Sequence, residues 1–165
     1  MKAENEKSIN EEKNSSQEHN SEVISNIRNL LENQPFCVLC TQGEGQPYGS
    51  LIAFAYTDDL KRFFFITPNT TRKYTLLEKC SNISLLVDTR SENPEQMKQV
   101  EAVTVTGVAH ELESGPNYKQ GLQMLKDRHP YMSDFQQAES TALFGINVKR
   151  YLYVTRFQEV TQWTP

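Results

Sequence analysis

Large hydrophobic side chains enter this chain late. Residues 1–20 read MKAENEKSINEEKNSSQEHN and hold one large aliphatic residue, Ile9. A segment this polar cannot bury enough apolar area to offset the entropy of ordering it, so 1–20 is expected to be a disordered polar tail ahead of one domain, 21–165. Val23, Ile24, Ile27, Leu30 and Leu31 then recur at helical spacing, with Ser21 placed to cap and Pro35 to stop. That pattern predicts an amphipathic helix over 21–34.

From Phe36 the period shortens to two. FCVLCT precedes the turn Gly43-Glu44-Gly45. Tyr48, Ser50, Ile52, Phe54 and Tyr56 alternate with Gly49, Leu51, Ala53 and Ala55, and Asp58-Asp59 turns the chain into a third strand, Arg62 to Thr67. These three segments are expected to form an antiparallel meander. Both faces of the middle strand are largely apolar, which suits a barrel wall covered outside by a helix or another subunit. A short helix over 71–79 follows, then strands at 83–88 and 102–112. A helix starts at Ser114-Gly115-Pro116 and runs to about 128, and a long strand over 143–157 bends near Lys149-Arg150. Residues 159–164 close the chain. This order of elements points to a small, mostly β barrel with helices at its ends.

Composition narrows the function classes. Hydrophobic residues are 37% of the 165, enough for a core, but no apolar run approaches the roughly 20 residues of a membrane helix. The net charge of −4 offers no electrostatic footprint for nucleic acid or anionic lipid. Three cysteines make no disulfide framework, so a reducing cytoplasm is the expected setting. Cys37 and Cys40 have CxxC spacing, but on a strand they lie on opposite faces about 10 Å apart. A disulfide needs a Cα separation of roughly 4.4–6.8 Å. They are expected to be small packing residues. His19, His110 and His129 have no metal-ligand spacing, and no metal site is expected.

The stretch that carries chemistry is Phe65-Ile66-Thr67-Pro68-Asn69-Thr70-Thr71-Arg72-Lys73. A strand ends at Thr67 and a helix begins near Thr71, so the first helical amides lack internal partners at the positive end of the dipole. Thr67, Thr70 and Thr71 add hydroxyls. Arg72 and Lys73 oppose the dipole of an isolated helix, and their position makes sense with a phosphate between them.

With GxGxPYGSLIAFAY (43–56), FFFITPNTTRK (63–73), NISLLV and VTVTGVA in this order, the chain resembles the pyridoxamine 5′-phosphate oxidase-like, FMN-binding split-barrel superfamily. The resemblance runs from about 21 to 164. The oxidases have Tyr-Thr and, four residues after the Thr, Ser-Arg-Lys; Ile66-Thr67 and Thr71-Arg72-Lys73 keep that spacing here. It implies a mostly β (α+β) fold, a six- to seven-stranded antiparallel split β-barrel with short flanking helices, and a homodimer with FMN at its interface. Thr71, Arg72 and Lys73 would hold the phosphate near Thr67, and the backbone of Ser50, Leu51 and Ile52 would line the ring. Trp163 would come from the second chain. The implied activity is an oxidoreductase acting on a small-molecule substrate. Two departures separate this chain from true pyridoxamine phosphate oxidases. No base stands in Ser50–Ala55, and Glu101-Ala102 replaces Arg-Gln ahead of VTVTG. Related small barrels bind haem or a deazaflavin, which are the alternative cofactors; a haem-utilisation protein or a non-catalytic cofactor carrier is the alternative function.

Overall fold

In the computed structural model, residues 20–92, 95–132, 140–155 and 159–165 are described, Met97 without its side chain. The tail lies outside these residues except for Asn20, which already belongs to the first helix, α1 (20–33). Val23, Ile27, Leu30 and Leu31 of α1 are each at most 5% exposed and plug the interior of a barrel. Its wall runs through β1 (Phe36–Gly43), β2 (Gln46–Ala53), β3 (Ala55–Tyr56), β4 (Arg62–Pro68), β5 (Asn82–Asp88), β6 (Ala102–Glu111), β7 (Thr141–Thr155) and β8 (Glu159–Trp163). The spatial order is β2-β1-β5-β6-β7-β4-β3, with β8 on β7, and every pairing is antiparallel. Two further helices, α2 (Arg72–Lys79) and α3 (Pro116–Arg128), flank it. The fold is the antiparallel split barrel that the family resemblance implies.

The β1–β2 connection is a two-residue turn with positive φ at both centres, Glu44 (62°) and Gly45 (77°). This matches the right-handed twist of the flanking strands. The expected meander differs in one respect. Its middle strand is interrupted at Phe54: β2 pairs β1, whereas its continuation β3 pairs β4. Phe54 is fully buried, and its carbonyl accepts from His129 Nε2 at 2.8 Å instead of joining a ladder. One strand thereby serves both ends of the sheet path and draws them together. The bend in the long strand coincides with a bulge. Thr106 pairs Arg150 and Gly107 pairs Val148, leaving Lys149 as the extra residue of β7. A Cβ on Gly107 would meet Asn147 O at 2.6 Å, so the close approach there requires glycine.

Alternation separates inside from outside. Cys37, Leu39, Ile52, Leu85, Val103, Val105 and Tyr151 face the main core. Ala55, Phe64, Ile66, Leu125 and Leu143 form a second cluster beneath α3. Cys37 is buried and Cys40 is half-buried, both as free thiols on strand β1. No helix among the described residues is long and apolar enough to cross a membrane.

Candidate functional site

The strand-to-helix turn after β4 is organised by two threonines. Thr71 is the N-cap of α2, its oxygen accepting from Tyr74 N at 3.4 Å while its hydroxyl donates to Pro68 O at 2.9 Å. Because that donation uses its one proton, the 3.0 Å contact with Thr67 has Thr67 as the donor. Thr67 is 1% exposed, so it braces the turn from inside. Both hydroxyls are thus engaged in shaping the loop, and the first amides of α2 and the two bases beside them remain for a ligand.

No acidic residue stands in the first turn of α2. Arg72 is exposed, with its guanidinium carbon 5.5 Å from the centroid of Tyr48. Lys73 is half-buried, and desolvation holds its ammonium below the ordinary lysine value. Among the described residues no carboxylate pairs with it. The nearby acid Glu44 is taken by Lys79 at the far end of α2, and the hydrogen bond from Lys79 lowers its pKa. At the other side, Tyr74 donates to Glu111 Oε2 at 2.9 Å and meets Phe144 edge-on, tying α2 to the barrel. A helix start with two bases and no acid is electrostatically incomplete, and a bound anion would complete it.

The remaining predicted residues fall into two groups. Ser50 and Ile52 turn inward from β2, whereas Leu51 turns outward and is 69% exposed. Ser50 Oγ is buried without a hydrogen-bond partner. β2 pairs only β1, so its other edge is open along Gln46–Ala53. Ile66 points away from the turn into the cluster under α3. Trp163 sits on β8 with its ring 5.1 Å from Tyr151, a packing contact within its own chain. Tyr48 was not among the sequence candidates. Its signal was the hairpin register, which sets it opposite Thr41 on the same side as Ser50.

The two described histidines differ. His110 is exposed on β6. His129 is 1% exposed, and its Nε2–H must donate to Phe54 O, because a carbonyl only accepts. Its Nδ1 is then the acceptor for Tyr131 Oη at 3.2 Å. Both ring nitrogens are therefore occupied.

The sequence pattern of the family described as pyridoxamine 5′-phosphate oxidase matches residues 24–155. The chain belongs to that family. No curated protein matches it in sequence. Solved structures that share the fold share little sequence with it. A heme binding protein from Mycobacterium smegmatis superposes with a TM-score of 0.73 at 15% identity, covering 82% of this chain and 55% of that one. The chain thus spans just over half the length of that protein. HutZ, the heme storage protein from Vibrio cholerae, gives 0.67 at 16% identity, covering 85% and 92%. A FAD-binding protein from Mesorhizobium loti gives 0.62 at 19% identity, covering 76% and 87%. At these identities the likeness is one of fold.

Proposed function

We propose that this member of the pyridoxamine 5′-phosphate oxidase family is a flavoprotein. It binds FMN with the phosphate at the start of α2 and the ring along the open edge of β2, and acts as an oxidoreductase on a small molecule. The observation that carries the reading is Lys73: half-buried, without a carboxylate partner among the described residues, and beside Arg72 at the start of α2. A phosphate dianion there would recover the solvation Lys73 has lost. Ser50 Oγ supplies a second fit, a buried hydroxyl still owed a hydrogen bond. An open strand edge adds backbone donors and acceptors at the spacing a flat polar rim can use.

In this reading Thr67 and Thr71 hold the turn rigid, Arg72 and Lys73 neutralise the phosphate, and Tyr48 keeps the Arg72 guanidinium in place. FMN would supply the hydride or electron transfer, and the protein would position it and exclude water. We further propose a homodimer, in which a second copy covers the outward face around Leu51. The absence of a base in Ser50–Ala55 argues against vitamin B6 synthesis as the reaction. Haem, named for two of the fold relatives, requires an axial ligand, and both nitrogens of His129 are already bonded.

An absorption spectrum of the purified protein distinguishes flavin bands from a Soret band. The decisive test titrates Arg72→Ala and Lys73→Ala with FMN and riboflavin, with melting curves as the folding control. A charge-assisted hydrogen bond contributes roughly 1.5–3 kcal/mol, so either variant should bind FMN about ten- to a hundred-fold more weakly. Riboflavin, lacking the phosphate, should bind wild type poorly and respond little to either change. Folded variants that held FMN as tightly as wild type would remove the phosphate assignment.

A further inference from the structure

Helix α2 has only eight residues, and an isolated helix of that length is marginal in water. Its direction is therefore set by what grips it. The second half is held by Leu76 and Leu77, 3% and 5% exposed, and by the pair of Lys79 with Glu44 on the β1–β2 hairpin. The first turn carries the two bases, Arg72 and Lys73, and has one hydrophobic side chain, Tyr74, which packs against the main core.

Tyr74 is held at two points. Its ring meets Phe144 of β7 edge-on with centroids 5.8 Å apart, and its hydroxyl donates to Glu111 Oε2 of β6 at 2.9 Å. Glu111 and Phe144 are register partners, so ring and hydroxyl engage a single cross-strand pair. Phe144 pairs in turn with Phe65, and Thr67, two residues along β4 on the same face, is the residue that braces Thr71. The first turn thus rests on one rim of the barrel at Thr67 and at the Glu111–Phe144 pair. A ring contact alone would let the turn slide, whereas a ring contact and a hydrogen bond along one side chain fix its direction. Glu111 is exposed, so it needs no protein partner to satisfy its charge. The bond raises the phenol pKa above the ordinary tyrosine value, which keeps the donor protonated into alkaline solution.

We infer that Tyr74 is a positioning residue for the phosphate site: its bond to Glu111 aims the first turn of α2, with Arg72 and Lys73, at the phosphate. This role rests on the FMN reading proposed above.

The full chain is titrated with FMN and with riboflavin, and the ratio of the two affinities is the readout, because a general loss of packing weakens both alike. Tyr74→Phe keeps the ring and removes only the donor. It should weaken FMN about three- to ten-fold, the worth of one hydrogen bond, with riboflavin binding and the melting temperature near wild type. Glu111→Gln and Glu111→Ala remove the same charge, but only Gln retains an acceptor, so Ala should bind FMN more weakly than Gln by that same factor. Adding Tyr74→Phe to Glu111→Ala should cost nothing further, since both changes break one bond. A wild-type affinity ratio in Tyr74→Phe, equal FMN affinity in the Gln and Ala variants, or additive losses in the double variant would each overturn the positioning role and leave the FMN reading intact. A wild-type protein that did not prefer FMN to riboflavin would remove the phosphate site, and this role with it.

Discussion

His129 is a buried base kept neutral. Desolvation lowers its pKa from the ordinary 6.5, the bond to Phe54 O opposes that shift, and the charge of Arg128 adds to it. The unfolded chain protonates this imidazole as pH falls through about 6.5, while the folded chain resists until lower pH. Its contribution is therefore complete above about 6.5 and is lost as the solution is acidified. Glu44 and Asp59, whose pKa values are lowered by their hydrogen bonds with Lys79 and Thr57, lose stabilisation only in the carboxylate range. Between about pH 6.5 and 5 the two effects separate. His129→Gln, which retains a donor for Phe54 O, should flatten the decline across that window in urea unfolding at a series of pH values. An unchanged slope would show that another group titrates there.

At the scale of elements, α1 and α3 are joined by one side chain. Arg128, at the end of α3, donates through Nη2 to the carbonyls of Leu31 and, at 3.0 Å, Gln34, with Glu32 O at 3.4 Å. These carbonyls belong to the end of α1, which has no intrahelical donors for them, and a cation suits its negative dipole. The same guanidinium lies 4.9 Å from the centroid of Phe54 and 5.1 Å from that of Tyr56. It thus binds the barrel plug, the strand break and α3 together. Arg128→Ala should cost about 3 kcal/mol, since several charged hydrogen bonds are lost non-additively. The expected readout is a lower urea midpoint at unchanged slope, with Arg128→Lys recovering only part, because one ammonium cannot span the carbonyls. A shift under about 0.5 kcal/mol would place α1 under the control of its apolar face alone.

Across the whole molecule the register sets an apolar row on the outer wall. Leu51 stands opposite Val38, Val38 opposite Leu86, and Thr104 links Leu86 to Leu152. Leu51 and Val160 are 69% and 61% exposed. An apolar row of this extent beside an open strand edge suits a self-complementary two-fold contact. Light scattering should return twice the chain mass for wild type at micromolar concentration. Leu51→Glu should return a single-chain mass with an unchanged circular dichroism spectrum and a reduced flavin content. A single-chain mass for wild type would remove the homodimer proposal.

What the sequence determined by itself was local. The 3.6-residue period of Val23 to Leu31 and the period-two run of β1 placed helix and strand within one or two residues, because each registers burial on one face of a single element. The Gly43-Glu44-Gly45 turn and the helix start near Thr71 were legible for the same reason: their bonds close within a few residues. The break at Phe54 was not legible, since its cause is His129, seventy-five positions onward. Nor could spacing show that the Thr67 and Thr71 hydroxyls are committed to the turn, that Ile66 faces α3, or that Ser50 Oγ is left without a partner. The clasp of Arg128 on α1 joins elements distant in sequence. Sequence period reports which face of an element is buried; which other element covers that face, and which polar groups are left incomplete, is decided only when the barrel closes.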